Sequence, residues 1–177
     1  MSDSLIIHDK LHSPFFICLR VNGAVDDGSL LKHFHLNAYT QSNEHSVLRH
    51  YAIITENDDW TFLADDWYYT LWHMPTTRPA LELLSLQYEL FACSVGESDR
   101  SYDFIYFREG ELIRELVVQD PTFQGGQVVK SLGTPFEFEI PQCELNLDEW
   151  DYVLSIANSL GIDTRFNERD LRIYSPQ

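Results

Sequence analysis

SYDFIYFREGELIRELVVQ, residues 101–119, is the stretch whose reading decides the fold. Two runs of aromatic and branched side chains flank Arg108-Glu109-Gly110-Glu111. A Glu-Gly pair between such runs is tight-turn chemistry, because glycine enters the left-handed region without a steric penalty. The stretch therefore reads as a β-hairpin. In its second arm Ile113, Glu115 and Val117 alternate with Leu112, Arg114, Leu116 and Val118, so one face is the more polar. Arg114 is expected to meet Asp103 across the strand pair.

Strands extend outward from this hairpin on both sides. LFACSV, 90–95, precedes it, and QVVKSL, 127–132, and PFEFEI, 135–140, follow as edge strands with Glu137 and Glu139 pointing outward. PFFICLRV, 14–21, bounded by Pro14 and Asn22-Gly23, reads as a buried strand. LRHYAIIT, 48–55, and WTFLA, 60–64, form a second hairpin around Glu56-Asn57-Asp58-Asp59, since Asn and Asp bond their own backbone in turns. LRIY, 171–174, adds a short last strand.

Three segments have helical spacing. DDGSLLKHFHL, 26–36, carries Leu30, Leu31 and Phe34, and a second helix starts at Thr77-Arg78-Pro79 with Leu81, Leu84 and Tyr88 on one stripe. In NLDEWDYVLSIANSLG, 146–161, Asn146 and Glu149 have capping-box spacing and Gly161 ends the helix. These elements predict one α+β domain over residues 1–177. Its sheet is mostly antiparallel, with about six to eight strands and two or three helices packed on one face.

Charge narrows the partners. Twenty-eight Asp and Glu face 12 Lys and Arg, a balance of −16. Such a surface repels nucleic acid and anionic membranes and steers a basic protein toward itself. The three cysteines, Cys18, Cys93 and Cys143, have no metal-ligand spacing and suit a reducing compartment. MSDSLIIHDK lacks the features of a signal peptide, so the expected location is cytoplasmic.

The most conspicuous motif is NDDWTFLADDWYY, 57–69, where Asp-Asp-Trp occurs twice. A five-residue strand between the acid pairs spans roughly 16 Å, too far for one shared metal or a glycosidase carboxylate pair. The pattern leaves two readings, a partner-binding surface of Asp58, Asp59, Trp60, Asp65, Asp66 and Trp67, or turn acids around core aromatics. All seven histidines lie in the first 73 residues without an HExxH pair, and His33 and His35 share a face only if their segment is a strand. There is no G-x-S-x-G elbow, and Gly125-Gly126 precedes a strand rather than a helix. No catalytic residue, metal or cofactor is assigned.

FIYFREGELIRELVVQDP, 104–121, together with SLGTPFEFE, 131–139, resembles small bacterial proteins of the immunity type. The shared pattern is a hairpin with glycine at its turn, an arginine after it, and a Gly-x-Pro-x-x-x-Glu segment. It covers part of the C-terminal half and brings no functional residue with it. The −16 balance, the Asp-Asp-Trp turns and the lack of a catalytic constellation lead to the expectation of a non-catalytic acidic binding protein, an immunity-type inhibitor that occludes a basic toxin or enzyme. Two alternatives are a ligand-binding protein or enzyme with an aromatic pocket on the sheet, lined by Tyr51, Tyr69, Trp72, His73 and Tyr106, and a homodimer with a flat apolar face near Trp72.

Overall fold

The computed structural model describes residues 6–7, 10–11, 15–21, 25–42, 52–57, 59–65, 75–96, 99–120, 122, 126–140, 147–165 and 170–177. Its strands are β1 (Ile6–Ile7), β2 (Lys10–Leu11), β3 (Phe15–Arg20), β4 (Tyr39–Ser42), β5 (Ala52–Asn57), β6 (Trp60–Asp65), β7 (Glu89–Val95), β8 (Tyr102–Arg108), β9 (Glu111–Gln119), β10 (Gln127–Leu132) and β11 (Arg172–Pro176). Its helices are α1 (Asp27–His33), α2 (Thr77–Ser85) and α3 (Glu149–Ser159). β1 and β2 form a separate ladder. The other strands make one nine-stranded antiparallel sheet in the order β10-β9-β8-β7-β3-β6-β5-β11-β4. The α+β class holds, with more strands than the sequence suggested.

Strand alternation sends neighbouring side chains to opposite faces. On β3, Phe16 and Cys18 join a core with Phe62, Phe91, Phe104 and residues of α3, including Tyr152 and Ile156. Phe15, Ile17 and Leu19 join a second core with Leu30 and Leu31 of α1 and Leu81 and Leu84 of α2. The helices therefore lie on both faces of the sheet, and the expectation of a single helical face is corrected. β3, β6, β7 and β8 carry almost unbroken apolar runs, which would expose hydrocarbon if either face were bare.

Local chemistry sets the boundaries. Glu109 and Gly110 both have positive φ, 54° and 77°, as a two-residue turn of type I′ requires. Asp26 caps α1 by accepting from Ser29 N at 2.7 Å. α3 is capped by Asp148, which accepts from Asp151 N at 2.7 Å, rather than by Asn146, which lies outside the described residues.

Residues 135–140 do not form the expected strand. The chain turns at Gly133, φ 78°, where a Cβ would stand 1.9 Å from the Ile113 carbonyl oxygen. It then folds back over the sheet. Phe136 and Phe138 stack at 4.9 Å, and Phe136 meets the Tyr106 ring edge-on at 5.8 Å. Glu137 stays exposed, but Glu139 turns inward to Arg114. The Arg114 side chain is 2% exposed. Its Nε donates to Glu139 at 2.8 Å and its Nη2 donates to the other carboxylate oxygen. Nη1 donates to Ser131 Oγ at 2.9 Å and to the carbonyls of Leu132 and Glu115 at 2.9 and 3.0 Å. The expected Arg114–Asp103 contact is absent because the two project from opposite faces: Arg114 sits opposite Tyr106, and Asp103 is three residues away in register.

Removing one partner of a buried ion pair strands the other charge. Glu139→Ala should lower the unfolding free energy by about 3 kcal/mol. Glu137→Ala, two residues away, should change it by less than about 0.5 kcal/mol. Urea unfolding of the two variants beside the wild type checks both values.

Candidate functional site

The end of the sheet where β5 turns into β6 and β8 turns into β9 gathers the acidic turns. Trp60, Arg20 and Glu89 lie side by side on β6, β3 and β7, and Arg108 is paired with Glu111 at the β8–β9 turn. Asp59 stands at the β5–β6 tip with 70% of its side chain exposed. Glu109 and Glu111 are exposed at the β8–β9 tip. The two tips are separated by about four strand spacings, roughly 19 Å.

Arg20 is the hinge of this end. Its guanidinium lies 3.3 Å from Glu89 and 3.6 Å from Asp59, and 5.8 Å from the centre of the Trp60 ring. The Tyr106 hydroxyl donates to Glu89 from the same face. Burial, and then the neighbouring Glu89, hold the Tyr106 phenol above its ordinary range, so it stays protonated.

The described residues of the doubled Asp-Asp-Trp motif do not form one surface. Of its residues, Asp59 is exposed, whereas Trp60 is 3% exposed and Asp65 is 2% exposed. Trp60 sits in the core beneath α3, and Asp65 faces the opposite core in register with Phe15 and Ala52. As folded, neither is offered to a partner, and both are corrected as contact residues. The cause is the register: a six-residue β6 is buried along its whole length. Asp58, Asp66 and Trp67 lie outside the described residues. Of the aromatic pocket, Tyr106 is a core residue 5% exposed, and Tyr51, Tyr69, Trp72 and His73 lie outside the described residues.

A buried polar cluster that the sequence did not flag lies toward the other end of the sheet. Asp103 on β8 faces Ser94 on β7 and accepts from its Oγ at 2.7 Å and its N at 3.1 Å. Burial pushes its carboxyl up to about 7, with nearby Glu115 adding to the rise and the Ser94 bonds opposing it. On β9, Glu115 is clamped from two sides: Arg78 Nη1 donates to both of its carboxylate oxygens at 3.0 Å, and Lys130 Nζ donates to one of them at 2.8 Å. Two carboxyls thus occupy contrasting environments, one short of cations and one clamped by two. That contrast is what acid–base pairs use, but at 7% and 6% exposure these two are packed into the sheet–helix interface.

Two grooves open elsewhere. One, about 480 Å³, is lined by Asn158 and the residues 161–165, including the Asp163–Arg165 ion pair at 2.8 Å. The other, about 560 Å³, lies between α1 and α2 and is lined by Lys32, His33, His35, Pro79 and Leu83 among others. His33 ends α1 and His35 follows with φ 60°, and both line this groove. Cys18 and Cys93 are core residues whose thiols burial holds well above the ordinary range. Among the described residues no helix is long and apolar enough to cross a membrane, and no three His, Cys, Asp or Glu side chains gather as metal ligands. No family model, curated protein or solved structure matches the chain.

The raised Asp103 carboxyl has a direct consequence for stability. The unfolded carboxyl titrates near 3.8 and the folded one near 7, so the folded state loses stability as pH rises between those values. Asp103→Asn removes this loss while keeping an acceptor for Ser94. The variant should match the wild type near pH 4 and exceed it increasingly up to pH 7, by at most about 1.4 kcal/mol per pH unit. Thermal unfolding across that range reads the difference.

Proposed function

We propose that this chain is a non-catalytic acidic binding protein that docks on a cationic protein surface, as an immunity-type inhibitor does when it occludes a basic toxin or enzyme. One observation carries this reading. Arg20, Arg78, Arg100, Arg114, Lys130, Arg165 and Arg172, seven of the twelve Lys and Arg residues, are already paired with the protein's own carboxylates. These cations are already engaged by the fold's own acids, most of them at its surface, and the surplus of the 28 acids is left for whatever approaches. Asp59, Glu109 and Glu111 stand on two hairpin tips at one end of a rigid sheet, which suits them to meet a basic cleft.

Opposite charges raise the association rate at low salt, and the gain fades as ions screen it. A partner captured on the immobilised chain at about 0.02 M salt should be basic. Its association rate should fall at least about tenfold on going to roughly 0.3 M salt. The triple variant Asp59→Asn, Glu109→Gln, Glu111→Gln should slow association further at low salt. A captured partner that is not basic, or a rate indifferent to salt, removes the proposal.

A second reading, a small-ligand binder, is favoured by the groove between α1 and α2. In a chain of −16, its ionisable lining among the described residues is Lys32, His33 and His35, beside the apolar Ala80 and Leu83. Its volume is within the range of small-molecule sites. Octanoate should raise the melting temperature and octanol should not, and Lys32→Gln should abolish the effect. Equal shifts from both compounds would remove this reading.

A further inference from the structure

Among the described residues β10 ends the sheet, with β9 on one side and no strand on the other. All six of its residues are exposed. Val128 is 62% exposed, Val129 53% and Leu132 43%, and Ile140 in the segment that follows is 42% exposed. Val128 lies opposite Val118, whose side chain faces the α3 core, and Leu132 lies opposite Glu115, which faces α2. The strand is therefore bare on both faces as well as along its edge.

Edges of this kind template pairing, so proteins protect them with charge, proline or irregularity. β10 has a bulge at Val129, but the residue placed there is apolar. It has no proline and no carboxylate, and its one charge, Lys130, is bound to Glu115 at 2.8 Å. Charge also selects the occupant. Lys130 is already held by Glu115, so neither an acidic nor a basic strand gains an ion pair on β10. The strand that fits is neutral and apolar, and the chain supplies one of its own.

We propose that two copies of this chain pair through their β10 edges, antiparallel about a two-fold axis, to form one continuous sheet. The contact is isologous, so Val128, Val129 and Leu132 of each copy cover those of the other. Two six-residue strands with short flanks fall below the roughly 1,200 Å² of a standard stable interface, so the dimer forms in a concentration-dependent way. Two bodies of −16 repel, so salt strengthens this dimer, whereas it weakens docking on a basic partner. The two proposals therefore fail independently.

Sedimentation equilibrium from about 5 to about 500 μM tests the pairing. The average mass should climb toward twice that of the chain, and climb sooner in roughly 0.5 M salt than in roughly 0.1 M. Val129→Lys should stay monomeric throughout, although it lowers the net repulsion. Leu86→Lys, at an apolar residue 68% exposed at the C-terminal end of α2, should associate like the wild type. Hydrogen exchange of residues 127–132 should slow as the wild type is concentrated, a reading that needs no variant. A wild type monomeric at every concentration and salt overturns the pairing. So does a Val129→Lys variant that associates normally, a Leu86→Lys variant that fails equally, or exchange that ignores concentration.

Discussion

Four central strands, β3, β6, β7 and β8, present hydrocarbon to both sides, so the sheet needs a covering layer twice over. α3 provides it on one face with Tyr152, Val153 and Ile156. α1 and α2 provide it on the other with Leu30, Leu31, Leu81 and Leu84. Fully burying one such side chain is worth about 1.5–3 kcal/mol, and these strands bury more than a dozen. Everything outside this sandwich, including the acidic tips and the bare edge, is positioned by the strand register that the two cores enforce.

The sheet's polar chemistry is concentrated on β9, where adjacent residues serve opposite faces. Arg114 reaches one way to Glu139 and pins the segment after β10 against the aromatic cluster. Glu115 reaches the other way to Arg78, tying α2 to the sheet, and to Lys130 on β10. Buried charges of this kind contribute little net stability compared with hydrocarbon, but they penalise any register that separates them. A one-residue slip of β9 would flip both side chains, setting Arg114 toward Arg78 and Lys130, or Glu115 toward Glu139.

The same economy of cations shapes the outer surface. With only 12 Lys and Arg against 28 acids, each internal pair leaves the outer balance at −16 but with fewer cations to offset it. Trp60 illustrates how the tertiary fold reassigns a suggestive motif. Beside two aspartates it looks like an anchor for a partner, yet its ring lies in the core with Arg20 above it.

The sequence by itself determined the hairpins, the helix positions and the charge, because each depends on local rules. The Glu109-Gly110 turn follows from backbone sterics. α2 follows from apolar spacing, and its start at Thr77 matches the proline signal. The run FFICL reads locally as a buried strand, but that helices cover both of its faces was decided by the assembled cores. Only the tertiary structure decided which face each strand shows, and hence that Trp60 and Asp65 are interior. It also decided that Glu139 faces inward while Glu137 faces water, a choice made by Gly133 folding the chain back over Arg114. The Asp103–Ser94 and Glu115–Arg78 contacts join residues 9 and 37 positions apart, and no local signal carries such a pairing. Long-range register is set by which buried surfaces fit together, and that information belongs to the assembled cores rather than to any one segment.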